Sequence, residues 1–328
     1  MTPFSTTEFG VPGNKTRVSR IGLGTMGMSI SYGDIPNDET VKVLNRAIDN
    51  GCTFWDTANI YGFGHNERLL SRILKDRRSE IFLCTKFGVI VNKSEPNFKG
   101  SFTQHINGAS GKPEYARNCV EESLARLGVD SIDLYHMHHM DSTTPIEETV
   151  AAMAELVKEG KVRYLGLSNC SADALRRAYK IHPIAAVQVE YSAWNTSIVT
   201  NGLLDACREL DITVVAYCPL GSVALTGTLA SIGSLPDYDI RRYHSQFKDQ
   251  TLKSASNLVE AFGEITKRHE CTPSQVALAW LLTHDNVIPI PGTKRINYLG
   301  ENYGAAQIRL SKEVLAVLKL NVKENSVN

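Results

Sequence analysis

Apolar residues along this chain fall into two alternating patterns. Short unbroken runs such as Phe54-Trp55, Ile81-Phe82-Leu83-Cys84 and Val214-Val215-Ala216 read as buried strands. Between them lie longer stretches in which apolar residues return every three or four positions, the period of a helix packed on one face. Residues 20–25 read as a first strand, followed by a loop rich in Gly, Ser and Pro. Asp38 then caps a helix whose Val41, Leu44, Ala47 and Ile48 share a face. The second strand runs into Asp56, a helix covers 67–74, and the third strand ends at Lys86. A long polar loop from Val91 to Pro113, a helix over 115–127 and a fourth strand ending at His138 come next. Helices over 146–158, 172–181 and 203–210 separate strands at 162–168, 186–191 and 213–217. A second polar insertion spans 221–250. Helical patterns at 252–269 and 273–282 precede a last strand at 287–290, a short helix at 296–305 and a polar tail.

Eight strand candidates, each followed by helix-patterned sequence, fit an α/β chain folded as a (β/α)8 TIM barrel. A doubly wound open sheet would accommodate six or seven such units. The barrel is favoured by where polar residues fall, because they end nearly every strand around the whole chain. A closed barrel brings all those ends to one mouth, whereas an open sheet gathers its site at the switch point.

Composition narrows the setting. The chain has 328 residues, which suits one barrel domain over 1–328. Its 35 acidic and 35 basic residues cancel, so neither nucleic acid nor an anionic membrane is expected as partner. No apolar run approaches the ~20 residues a membrane span needs. The first residues carry no signal-peptide core, and seven cysteines without a Cys-x-x-Cys pair suit reduced thiols, so a cytoplasmic protein is expected.

Candidate chemistry lies at the strand ends. A lysine there is costly to bury unless paired, and Asp56 is the natural partner for Lys86. A structural ion pair would explain both. Tyr61, five residues beyond Asp56, adds a functional reading. A phenol is a weak acid near pH ~7, but a nearby ammonium favours phenolate and should lower its pKa. Tyr61 could then give a proton to a carbonyl oxygen or take one from an alcohol. His136-Met137-His138-His139 could instead hold a metal, since His136 and His138 share a strand face. Later strand ends carry Ser168, Asn169, Gln188, Tyr217 and Lys294, which are not a hydrolase ligand set, so core packing for His136 and carbonyl orientation for His138 fit better.

Gly22-Leu23-Gly24-Thr25-Met26-Gly27 matches a dinucleotide fingerprint, but loop sequence follows where that motif needs a helix. Close backbone approach to a ligand is the better use for these glycines. Gly292-Thr293-Lys294-Arg295 precedes a short helix and suits a phosphate; its two cations would favour NADP over NAD. Tyr217 could stack on a planar cofactor, and Ser168, Asn169 and Gln188 could hold a carboxamide.

Six ordered motifs together resemble the aldo-keto reductases: Asp56-Thr57-Ala58-x-x-Tyr61-Gly62, Thr85-Lys86-Phe87, Asp133-Leu134-Tyr135-x-x-His138, Gly166-x-Ser168-Asn169, Gln188-x-Glu190-Tyr191 and Ile290-Pro291-Gly292-Thr293. The resemblance spans about 21–305 and is closest to the fungal and plant members of the YakC and perakine reductase type. It implies an NADPH-dependent carbonyl reductase. Tyr61 would be the general acid, Lys86 and Asp56 would set its pKa, and His138 would orient the carbonyl. Nicotinamide would lie on Tyr217 with Asp56, Ser168, Asn169 and Gln188 nearby. Gly24, Thr25 and Met26 would approach the cofactor, Pro219, Leu220 and Gly221 would meet the pyrophosphate, and Pro291, Gly292, Thr293, Lys294, Arg295 and Asn302 would take the adenosine end. The loops 88–113 and 221–250 would serve cofactor and substrate. Met26, Tyr32, Phe87, His139, Tyr191 and Trp194 would line an apolar pocket for a small carbonyl substrate, with aromatic or medium-chain aldehydes favoured.

The chain departs from the pattern at Ser222 and Val223, where relatives carry Arg and Gly, and at His139, where close relatives carry Arg. A second function on the same fold is NADPH binding as a sensor or channel-associated subunit with little turnover. The intact tetrad favours the enzyme.

Overall fold

The computed structural model describes residues 5–29, 36–92, 105–229, 231–236, 239–243 and 245–327. The chain opens with β1 (Thr6–Val11) and β2 (Asn14–Ser19), then β3 (Leu23–Gly24), α1 (Asn37–Asp49), β4 (Phe54–Asp56), α2 (His65–Arg77) and β5 (Phe82–Phe87). Next come β6 (Val89–Val91), β7 (Ile106–Ala109), α3 (Pro113–Leu127), β8 (Ile132–Met137), α4 (Ile146–Lys158), β9 (Val162–Ser168), α5 (Ala172–Ile181) and β10 (Ile184–Glu190). The second half holds α6 (Ser197–Thr200), α7 (Leu203–Glu209), β11 (Thr213–Tyr217), α8 (Asp249–His269), α9 (Pro273–Leu281), β12 (Val287–Pro289), α10 (Ile296–Gly304) and α11 (Lys312–Asn325).

Eight of these strands form one parallel sheet in the order β12-β11-β10-β9-β8-β5-β4-β3. The ring closes between its first and last members. Gly22 N–H donates to Pro289 O at 2.9 Å, Gly24 N–H donates to Pro291 O at 3.3 Å, and Gly24 bridges Gly292. A β-carbon on Gly24 would stand 2.8 Å from Ile290 O, and one on Gly22 would stand 2.9 Å from Phe54 O. Gly24 therefore lets two backbones meet at the barrel seam, and Gly22 lets the chain lie close against β4. The missing side chains that would admit a ligand here also let one strand approach another.

Alternate strand residues face inward. Phe54, Phe82, Leu134, Ala186, Val215 and Ile288 fill the lower barrel and are buried together with Phe9 and Val18 from the β1–β2 hairpin. Phe9 lies edge-on to Phe82 at 4.9 Å and to Phe54 at 5.7 Å. The N-terminal stretch forms a hairpin that plugs the bottom of the barrel. Outward residues pack under the helices, and α4 buries Ile146, Val150, Met153 and Leu156 as its period dictates.

Two further expectations change. Asp38 lies inside the first turn of α1, not at its cap, and pairs with Arg72 at 2.8 Å. The polar tail contains α11, whose Val314, Leu318 and Val322 make one buried stripe. In the loop 88–113, β6 and β7 pair antiparallel, and 93–104 lies outside the described residues. No described helix is long and apolar enough to cross a membrane.

Candidate active site

Asp56 ends β4 and Lys86 lies near the end of β5, both facing into the barrel mouth and buried. The Lys86 ammonium has three protons and places all of them. Nζ donates to Asp56 Oδ2 at 2.6 Å, to Thr57 O at 2.7 Å and to Tyr61 OH at 3.1 Å. Gln188 Nε2 on β10 donates to Asp56 Oδ1 at 2.8 Å, so both carboxylate oxygens are satisfied. A buried ion pair is tolerable because these bonds replace water on both partners. Burial alone would push the Lys86 ammonium down, but the Asp56 carboxylate and the Tyr61 oxygen outweigh it and the net direction is up.

Tyr61 corrects one expectation. Its pKa is raised, not lowered. Burial dominates, the Lys86 ammonium pulls it down, and the Asp56 carboxylate works against that pull. The phenol therefore carries its proton at neutral pH. Its oxygen accepts from Lys86, which leaves its own O–H free to donate.

His138 follows β8, and its N–H donates to Phe87 O at 2.7 Å. Its ring lies edge-on to Tyr61 at 6.0 Å, and the His139 ring stacks on its other side at 5.4 Å. Burial, then the Lys86 charge and the neighbouring histidines, hold its pKa well below the usual imidazole range. His136 is fully buried and packs where a Gly166 β-carbon would stand 2.4 Å from its ring. Burial and then Lys86 depress it too, and burial depresses His139. Folded pKa values below the unfolded one mean that acid favours the unfolded chain, which takes up protons that the folded chain refuses. Stability is therefore expected to fall as pH drops through the unfolded imidazole value near ~6.5. Urea midpoints measured from neutral to mildly acid pH check this, and a triple substitution of these histidines by Gln or Asn should flatten the slope.

Around the tetrad the polar strand ends join in one chain. Tyr217 OH donates to Asn169 Oδ1 at 3.1 Å, and Asn169 Nδ2 donates to Ser168 Oγ at 3.1 Å. Thr293 and Lys294 are half-buried and Arg295 is exposed, at the turn before α10, while Asn302 is buried on that helix. The Gly24–Gly292 bridge sets this turn beside Thr25 and Met26. Pro219 is buried and Leu220 half-buried. The Gly221 N–H donates to Cys218 O at 2.8 Å in a turn, so contact of Gly221 with a pyrophosphate would not use that amide.

Val223 sits at φ +85°. A β-branched residue is strained in that left-handed region by about 1–3 kcal/mol. Val223→Gly is expected to raise stability by about 1 kcal/mol after the greater freedom of the unfolded chain is counted, read as a higher urea midpoint.

The expected substrate residues divide. Met26 is half-buried and packs with Ala58, Ile60, Tyr61 and Val89, and His139 is exposed beside His138. Phe87 does not reach the mouth. It follows inward-facing Lys86, so it points outward and stacks on Tyr135 at 4.9 Å. Tyr191 is buried against Trp280 and His284. Trp194 is also buried, donates from Nε1 to Ser254 Oγ at 2.9 Å, and backs Gly221, whose β-carbon would meet its ring at 2.9 Å. Tyr32 lies outside the described residues, as do 230, 237–238 and 244 of the loop 221–250. The Thr57 carbonyl, a ligand of Lys86, went unnoticed in the sequence because a backbone atom leaves no residue signature. Among the described residues no group of three His, Cys, Asp or Glu is placed to hold a metal ion.

Residues 20–320 match the Aldo/keto reductase family. The chain is 42% identical over 304 residues to the aldo-keto reductase yakc of Schizosaccharomyces pombe, whose name specifies NADP(+), with 91% of this chain and 86% of that protein covered. It is 43% identical over 336 aligned positions to the aldo-keto reductase str7 of Strobilurus tenacellus, with 99% and 94% covered. Its fold is similar to that of the glycerol dehydrogenase AKR11B4 from Gluconobacter oxydans, with TM-score 0.86, 26% identity, and 98% and 96% of the two chains covered.

Proposed function

The chain belongs to the aldo/keto reductase family, and from that membership we propose that it reduces small aldehydes or ketones to alcohols with NADPH, Tyr61 supplying the proton. One observation carries the reading: the Lys86 ammonium rests on Asp56 and on the Tyr61 oxygen at once.

The donor set fits the cofactor. Ser168, Asn169 and Tyr217 gather hydroxyl and amide groups for a carboxamide and an aromatic face for a planar ring. The first turn of α10 offers backbone N–H groups with Lys294 and Arg295 beside it, a cradle for a phosphate at the adenosine end. A yeast relative's name specifies the same dinucleotide. Bound NADPH supplies the hydride. Gln188 contributes less than expected to that ring, because its Nε2 is committed to Asp56.

The protein's own part is proton delivery and positioning. As the carbonyl oxygen gains charge, the Tyr61 O–H gives up its proton, and negative charge grows on the phenol oxygen 3.1 Å from the ammonium. That contact is stronger in the transition state than before it, which is what accelerates a step. Asp56 and the Thr57 carbonyl hold Lys86 so that it need not move. His138, kept neutral, offers an N–H to the carbonyl without adding a second fixed cation. The reading is tested by cofactor consumption with a panel of aromatic and medium-chain aldehydes. NADPH should serve well and NADH poorly, and equal use of both would remove the role given to Lys294 and Arg295.

A further inference from the structure

Asn66, the second residue of α2, is fully buried below the mouth. All of its polar capacity is engaged. Oδ1 accepts from Thr57 Oγ1 at 2.6 Å and lies 2.6 Å from Thr25 Oγ1. Nδ2 donates to Thr25 O at 2.9 Å and to Ser29 Oγ at 2.8 Å. Its backbone N–H donates to Tyr61 O at 3.2 Å. One residue thus touches the exit of β3, the exit of β4 and the catalytic tyrosine's own backbone.

What these partners do next gives the contacts their meaning. Thr57 is held at three points: its hydroxyl by Asn66, its N–H on Cys84 O at 2.9 Å, and its carbonyl on the Lys86 ammonium at 2.7 Å. Thr25 reaches Asp56 O with its N–H at 3.0 Å and its hydroxyl at 2.7 Å. The dipeptide Asp56-Thr57 supplies two of the three Lys86 contacts, and Asn66 grips it from behind. The third contact, to the Tyr61 oxygen, is the longest of the three at 3.1 Å. If the Thr57 carbonyl drifts, the ammonium follows the Asp56 carboxylate and leaves the phenol.

We propose that Asn66 is a positioning residue for proton transfer: by clamping Thr57 and the Tyr61 backbone to the end of β3, it sets the Lys86–Tyr61 contact. The proposal rests on the reductase reading of the site. A buried amide that merely tied loops together would matter to stability alone, so the test needs a readout that stability does not move.

Two variants serve. Asn66→Ala removes the side-chain part of the clamp and leaves the backbone bond to Tyr61 O. Thr57→Val removes only the hydroxyl that Asn66 holds and keeps the carbonyl, so it remains informative if Asn66→Ala fails to fold. Proton–nitrogen NMR of the lysine ammonium groups reads Lys86 directly, since its three hydrogen bonds slow its exchange with water. In Thr57→Val the Lys86 ammonium exchange is expected to speed up and kcat to fall by about tenfold, with aldehyde KM and NADPH affinity changed less than about threefold. Thr57→Ser, which restores the hydroxyl, should recover most of both losses. An unchanged Lys86 signal and an unchanged kcat in Thr57→Val, with only a lower melting temperature, would overturn the proposal. A wild type that binds NADPH and reduces nothing, while its Lys86 signal responds to Thr57→Val as expected, would refute the reductase reading and leave the positioning intact.

Discussion

Asp56→Ala is expected to lower the stability of the protein by about 3–5 kcal/mol and to abolish turnover. The reason is Lys86, which has no exposed surface and rests on Asp56 at 2.6 Å. Removing the carboxylate leaves a buried ammonium with only a carbonyl and a phenol for company, and strands the Gln188 amide as well. Lys86 has a folded pKa above its unfolded one, so the ammonium's contribution is complete at neutral pH and is lost as pH rises through the folded value. The loss should therefore show at neutral pH, as a lower denaturant midpoint with an unchanged slope. Asp56→Ala, Lys86→Met together should recover much of the stability, because the apolar pair carries no desolvation cost, and none of the activity. A stable, inactive double variant would separate what the pair does for the fold from what it does for the reaction.

Tyr61→Phe has the opposite profile. The ring still packs with Met26, Ala58 and Val89, and Lys86 keeps its two best partners. Stability should fall by about 1 kcal/mol for the lost hydrogen bond. Turnover should fall by about 10²–10⁴-fold, the usual worth of a placed general acid. NADPH affinity should hold within about threefold, which a fluorescence titration checks. Equal turnover by wild type and Tyr61→Phe would remove the tyrosine from the mechanism.

The parts of the molecule that were legible in the sequence share a physical cause. Helix Ile146–Lys158, strand Val162–Ser168, helix Ala172–Ile181 and strand Thr213–Tyr217 begin and end where the apolar pattern said they would. Each buries a regular face, and burial is what the pattern records. The β1–β2 hairpin was not legible because only Phe9 and Val18 of its side chains enter the core, too few to show a period. The α11 stripe was missed for a different reason: Val317 and Leu320 are apolar but exposed, so the buried Val314, Leu318 and Val322 do not stand out as one face.

In the site, Asp56, Tyr61, Lys86 and His138 were legible because ionisable groups at strand ends need partners. The direction of the Tyr61 shift was not, because it depends on how burial, an ammonium and a carboxylate balance in space. Phe87 could have been placed from alternation alone, since Lys86 before it faces inward. Tyr191 could too, since it follows Glu190 on the inward face with Ala186 and Gln188; Trp194 could not, because the loop after β10 turns it into the helix layer.

The proposed reaction passes a hydride from NADPH to a carbonyl carbon in this barrel. The most direct measurement uses NADPH deuterated at the nicotinamide carbon that gives up the hydride, with an aromatic aldehyde, following nicotinamide absorbance and the label in the product. One alcohol is expected for each NADPH consumed, with deuterium on the carbinol carbon. Tight NADPH binding with no consumption and no labelled alcohol across the aldehyde panel would contradict it and favour a protein that senses the nucleotide without using it.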